Sequence, residues 1–189
     1  MKKVWCVLAL ALTALPLWAQ TSTWKIDPKH SNAQFVVRHL GISNVQGQFT
    51  KVSGTVELDE KDITKSSVNA TIDATSVDTR VETRDQDLRS DHFFDVAKYP
   101  TLTFVSKKIT RAADGKTQMT GDLTMRGVTR EVTFDLDGPS DPIKDSGGGM
   151  KRGASATGTV KRSDFGINGS KTAVGDEVKI TLDVEMIKQ

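Results

Sequence analysis

Three histidines, His30, His39 and His92, are the first places to look for acid–base or metal chemistry in this chain of 189 residues. His92 sits in the stretch LRSDHFFDVAKYP, directly after Asp91 and three residues before Asp95. An imidazole beside a carboxylate is the minimal equipment of a hydrolase, and triads are recognised by geometry rather than by chain order. His30 and His39 lie nine apart across a turn and a strand, which is no metal-ligand spacing, so no metal is expected. The one cysteine, Cys6, stands in the first twenty residues. No serine occupies a Gly-x-Ser-x-Gly elbow, and the abundant carboxylates follow no pairing pattern. Gly147, Gly148 and Gly149 lack the strand-to-helix setting of a phosphate loop and read as a flexible connection. Arg80, Arg84 and Arg89 alternate with Glu82, Asp85 and Asp87, the pattern of a solvated helical face with i,i+4 pairing. No cofactor is implied.

What remains is apolar. Phe93 and Phe94 are adjacent in a polar frame, and consecutive rings point in different directions. They form either a core plug or one wall of a ligand tunnel, with Ser90 or Asp91 capping a single helical turn and Pro100 ending it.

The elements that position these residues are mostly strands. The first twenty residues, MKKVWCVLALALTALPLWAQ, run from a basic start through a short apolar core to a small residue at Ala19. That is the order of a cleavable export leader, expected over 1–19, and its core is too short for the ~20 residues of a membrane span. Without Lys2 and Lys3 the 26 basic residues become 24, against 24 acidic ones. A neutral exported chain offers no field for nucleic acid or anionic membranes. Its loss of Cys6 also leaves stability to packing rather than cross-links. The remaining segment, 20–189, suits one domain with a single core.

Period-two alternation dominates that domain. Ala33, Phe35, Val37 and His39 share a face; so do Val68, Ala70, Ile72 and Ala74, then Leu102 with Phe104. Met119, Gly121, Leu123 and Met125 line up, as do Val132, Phe134 and Leu136, and Val178 through Met186. Each run predicts a strand with one apolar and one wet face. The pattern yields eight or nine strands, two of them long (150–165 and 175–188), with Arg126-Gly127 as the sharpest hairpin signal. Turns are also expected at Asp137-Gly-Pro139 and Gly175-Asp176. The stretch from Asp78 to Ser90 predicts a short helix capped by Asp78 or Thr79, with Val81 and Leu88 on its inner face. Many strands and one helix favour a closed barrel, since closure removes exposed edges.

Three stretches carry a resemblance: WKIDPKHSNAQFVVRHLGISNVQGQF, ATSVDTRVETRDQDLRSDHFFDVAKYPTLTF and GDLTMRGVTREVTFDL. The series Arg84-Asp85, Leu88-Arg89, Phe93-Phe94 and Tyr99-Pro100 closely resembles the YceI-like family of exported proteins. The resemblance runs from about Trp24 to the last strand. It implies an all-β, lipocalin-like, extended eight-stranded antiparallel barrel, with a short helix covering one end and a long hydrophobic tunnel holding a polyisoprenoid or other long-chain lipid. It also implies a periplasmic location and often a homodimer.

The expected reading is therefore a non-catalytic carrier or store. Phe35, Val37, Phe49, Phe93, Phe94, Leu102, Phe104, Leu123, Phe134, Ile180 and Leu182 are its expected wall, with His39 near the mouth beside Asp27 and Arg38. The competing readings are a hydrolase built on His92 with Asp91 or Asp95, and a filled barrel that serves only as an interaction module.

Overall fold

The computed structural model describes residues 21–189. The expected leader, 1–19, and the expected first residue of the domain lie outside them. The strands are β1 (Thr21–Ile26), β2 (Asn32–His39), β3 (Ser43–Phe49), β4 (Val52–Asp59), β5 (Ser67–Asp73) and the short β6 (Val77–Asp78). After the one α-helix among the described residues, α1 (Glu82–Arg89), come β7 (Thr101–Arg111), β8 (Thr117–Met125), β9 (Val128–Asp137) and the short β10 (Ile143–Lys144). The long β11 (Met150–Lys161) and β12 (Val174–Lys188) end the chain.

Every pairing is antiparallel, and the order β11-β9-β8-β7-β5-β4-β1-β12 returns to β11, so the sheet closes. β2 and β3 continue the β1–β4 hairpin beyond breaks at Asp27–Ser31 and Thr50–Lys51, with β2 pairing farther along β12. The barrel thus has eight strand positions, three of them interrupted, the third where the 3-10 turn Ala74–Ser76 separates β5, paired with β4, from β6, paired with β3. That is the expected architecture, and the interruptions explain why more segments are present than the alternation suggests.

Local chemistry accounts for the turns. Arg126 (φ 49°) and Gly127 (φ 71°) form the two-residue link between β8 and β9, both in the left-handed region that such a hairpin demands. A side chain at Gly127 would also strike the ring of Tyr99, which lies over the turn.

Three expectations are corrected. α1 begins at Glu82, and its N-cap is Val81, whose side chain is 43% exposed and caps nothing. Neither Asp78 nor Thr79 caps the helix. Instead the carboxylate of Asp85 reaches back to accept from the backbone N–H (2.9 Å) and hydroxyl (2.5 Å) of Thr79, and both residues are buried. Second, the glycine loop is a closed turn between β10 and β11: Asp145 accepts from the N–H of Gly148 and, through Oδ1, from that of Gly149. The first bond goes to the backbone carbonyl of Asp145 and the second to its carboxylate, a side-chain-to-backbone contact that gives the glycines a defined turn. Third, the strand expected over 150–165 ends at Lys161 and gives way to a 3-10 turn, Arg162–Phe165, while Gly175-Asp176 falls inside β12.

Candidate ligand-binding site

The inward faces of the strands enclose an elongated cavity of about 220 Å³. On β12 its lining recurs with strand periodicity at Val178, Ile180, Leu182, Val184 and Met186, and Val174 lies beyond a register shift. From Val174 to Met186 the strand covers ~40 Å at ~3.3 Å per residue, or roughly 30 Å along the axis of a barrel whose strands tilt by ~40°. The space is therefore long and thin.

Its floor is a cluster of Trp24, Val56, Leu58 and Met186 at the end where the described chain begins. Trp24 is 1% exposed, donates from Nε1 to Ser22, and lies beneath the guanidinium of Arg152. Arg152 in turn pairs with Glu60 at 2.5 Å. Val56, Leu58 and Met186 also line the cavity, so the tryptophan cluster is where the hollow ends.

The opposite end is covered by α1 and the turns that follow it. Leu88, Phe93 and Phe94 face the cavity from there, with Ile167 on the segment after β11. Phe94 meets the edge of Phe49 with ring centroids 5.3 Å apart, and Phe49 lies 5.9 Å from Phe35. Deeper in, Phe104 and Phe134 meet edge to face at 5.6 Å. Such aromatic pairs add order-of-1 kcal/mol stabilisation beyond their burial.

Arginines hold this cover by donating to backbone carbonyls. Arg89 reaches Thr75 and Val77, Arg84 reaches Thr79, and Arg126 reaches Asp91 and Gly166. The helical face expected to be only solvated is thus partly a set of clamps; Gln86 donates to Glu82 at the i,i+4 spacing, while the ion pair Arg89–Glu82 spans seven residues. Irregular chain has carbonyls that no ladder satisfies, and a planar guanidinium with five donors satisfies several at once.

Of the expected residues, Phe35, Val37, Phe49, Phe93, Phe94, Leu102, Phe104, Leu123, Phe134, Ile180 and Leu182 all line the cavity. His39 does not: it sits at the end of β2, opposite Val174 and beside the β2–β3 turn. Arg38 is bound to that turn, donating to Asn44 and to the carbonyl of Gly41. Asp27 is also elsewhere, in the break between β1 and β2. There its Oδ2 lies 2.8 Å from His30, and it accepts from the N–H of Lys29. These two contacts, the histidine first, hold its carboxyl below the usual carboxylate range. Asp27, His30 and Glu185 together present a geometry that could hold a metal. Lys151 already supplies a cation there, 2.6 Å from Glu185 and 3.9 Å from Asp27, and the contact with Glu185 raises its own pKa.

His92 is exposed, and its imidazole pairs with Asp87 at 3.2 Å rather than with Asp91 or Asp95. It is absent from the cavity lining. The acid–base set drawn from the sequence is therefore not assembled.

Some lining residues went unnamed. Ile26, Ile109 and Met119 lie on alternating faces and were within reach of the same pattern. Arg162 was not. It is buried, lines the cavity, and donates to the carbonyls of Ile167, Gly169, Val174 and Gly175. Burial pushes its guanidinium pKa down, partly offset by nearby Asp176. The other lining residues with polar side chains are Gln34, Ser66, Thr103 and Ser155.

A closed antiparallel barrel around an elongated apolar lumen, sealed by a short helix and its following turns, defines a lipocalin-like class of protein. Residues 24–186 match the YceI-like domain, and the chain belongs to that family. It is 39% identical over 175 residues to the protein YceI of Escherichia coli O157:H7, an alignment covering 90% of each chain. The crystal structure of Burkholderia cenocepacia BcnA superposes with a TM-score of 0.73 at 26% identity, covering 85% of this chain and 98% of that one. The same fold appears in a polyisoprenoid binding domain from Saccharophagus degradans implicated in plant cell wall breakdown. Its TM-score is 0.65 at 15% identity, covering 88% of this chain and 98% of that one.

Proposed function

We propose that this protein is an exported, non-catalytic carrier or store that shields one long apolar chain, a polyisoprenoid or a similar lipid, in the periplasm. The observation that carries this reading is the lumen itself: long, thin and walled almost entirely by hydrocarbon and aromatic side chains. Such a site requires neither a reactive group nor a metal. At ~0.8 kcal/mol per buried methylene, ten enclosed carbons give roughly 8 kcal/mol before the cost of association. A long chain thus reaches useful affinity by burial alone.

The polyisoprenoid assignment draws support from the domain of Saccharophagus degradans, which is named for that ligand. Export rests on the leader-like order of residues 1–19. Against catalysis stands the position of His92, exposed and outside the lumen. We place ligand passage at the cover formed by Phe93 and Phe94. Those rings sit on turns, whereas the floor under Trp24 is built into regular strands.

The test is mass spectrometry of a solvent extract from protein purified without detergent. A stoichiometric long-chain lipid is expected. Repeated absence, together with no uptake of added isoprenoid alcohol, would remove the proposal.

A further inference from the structure

Two inner-wall glycines leave room for aromatic rings of the neighbouring strands. On β11, a methyl group added to Gly158 would meet Cδ1 of Phe134 at 2.6 Å and Cε1 at 3.0 Å. On β3, a methyl at Gly47 would run into the ring of Phe35 and lie 2.7 Å from Thr79. Neither position carries the positive φ for which chains commonly need glycine. What these positions require is the missing side chain. Each ring occupies space that a neighbouring Cβ would fill.

The two pairs lie on one hydrogen-bonded row that winds around the tilted strands of the barrel. Ile109 is opposite Met119, and Met119 opposite Phe134. Extending the β9–β11 register, in which Asp135 faces Thr157, by one residue sets Phe134 beside Gly158. Gly158 then faces Ile180, Ile180 faces Phe35, and Phe35 faces Gly47. Ile109, Met119, Phe134, Ile180 and Phe35 all line the cavity, while both glycines are hidden beneath the rings. Side chains on an inner barrel face normally project toward the axis and fill a lumen of this strand number. A ring folded onto a glycine lies along the wall instead.

We infer that Gly158 and Gly47 are specificity determinants: by seating Phe134 and Phe35 against the wall they hold open a bore that admits one extended hydrocarbon chain and excludes fused-ring lipids. This rests on the chain-binding reading above and specifies the class of ligand it takes. A volume of about 220 Å³ drawn out along the barrel is the shape of a single file.

The test titrates the full mature protein, stripped of lipid by solvent, with geranylgeraniol and with cholesterol, following the fluorescence of Trp24. The wild type takes up geranylgeraniol and not cholesterol. Gly158→Ala needs only a few tenths of an ångström from the Thr133 carbonyl (3.2 Å) but displaces the Phe134 ring into the bore. Its affinity for geranylgeraniol falls about tenfold, the scale of an overpacked interior. The double variant Gly158→Ala with Phe134→Leu, which removes the ring, returns to within about threefold of wild type.

Unchanged binding by folded Gly158→Ala overturns the inference. So does a loss that Phe134→Leu fails to restore, or cholesterol binding as tight as that of the prenol. If Gly158→Ala does not fold, a double variant that folds and binds supports the ring as the cause. A double variant that also fails shows that the backbone requires the glycine and sinks the inference. Failure of the wild type to bind geranylgeraniol is a different result, because it removes the chain-binding reading itself.

Discussion

The two ends of the barrel are closed by different means. At the floor, Trp24, Val56, Leu58 and Met186 come from regular strands, and Arg152 bonded to Glu60 covers the indole. At the cover, Phe93 and Phe94 come from turns after α1, tied by arginines that donate to carbonyls on separate segments. To move the floor, ladder hydrogen bonds on several strands must break together. To move the cover, a few side-chain clamps must let go. Local opening free energies span a wide range within one protein, and ligand-gating segments come from the low end. On the function proposed above, the difference puts stability at one end and ligand exchange at the other.

That assignment can be broken most sharply at the floor. Trp24→Ala removes a fully buried indole and should cost about 3–5 kcal/mol, read as a large fall in melting temperature. Ligand release, followed by exchange of a labelled prenol, should change much less than stability. Equal loss on both readouts would make the floor part of the gate.

Truncation of the cover should give the reverse pattern. Phe93→Ala deletes a ring that is 7% exposed and should cost about 2–3 kcal/mol, because turns relax into the space more readily than strands do. Exchange of the labelled prenol should accelerate at least tenfold. A variant that releases ligand at the wild-type rate would place the gate elsewhere.

A smaller effect is expected at Asp85, whose carboxylate holds Thr79 before α1. Asp85→Ala removes the one oxygen, Oδ1, that accepts both bonds, and leaves a buried N–H and hydroxyl without that acceptor, a cost of about 1–3 kcal/mol. Hydrogen exchange should rise in 79–95 and not in β11 or β12. Uniform change across the barrel would show that the cover does not open as a unit.

The smallest effect concerns Asp27, in the break between β1 and β2. His30 and the Lys29 N–H favour its ionised form in the folded protein, so its pKa is lower there than in the unfolded chain. Its contribution is therefore full above the unfolded aspartate value of about 3.9 and is lost as pH falls through the lower folded value. Asp27→Asn should lower the melting temperature modestly at neutral pH, with the gap to wild type closing below about pH 4. A gap that persists in acid would mean that the charge is not the cause. Neither end of the tunnel should respond.

These contrasts also separate what was legible in the sequence from what was not. Strand residues such as Phe104, Leu123 and Phe134 could be assigned inward because period-two alternation has only two outcomes, and the apolar choice is driven by burial. Phe93 and Phe94 were legible as a cover because adjacent rings in a polar frame must bury somewhere. The clamps were not legible. An arginine that satisfies distant carbonyls, as Arg162 and Arg126 do, looks identical in sequence to a solvated one until the fold brings the carbonyls together. The mouth residues could be assigned from strand position alone. His39, Arg38 and Asp27 lie on or next to the right strand, but turns and a strand break determine where their side chains end up. The helix start was misplaced because Asp85 uses its carboxylate to hold Thr79, whereas the propensity rule assumes that the preceding residues cap.

The central claim is that a hydrocarbon chain lies inside the cylinder, between the tryptophan floor and the phenylalanine cover. Diffraction from crystals grown with geranylgeraniol tests it most directly. Continuous density running from beneath Phe94 toward Met186, past the flattened rings of Phe35 and Phe134, is the expected result. A lumen without that density, with the prenol bound only on the outer face, would contradict it.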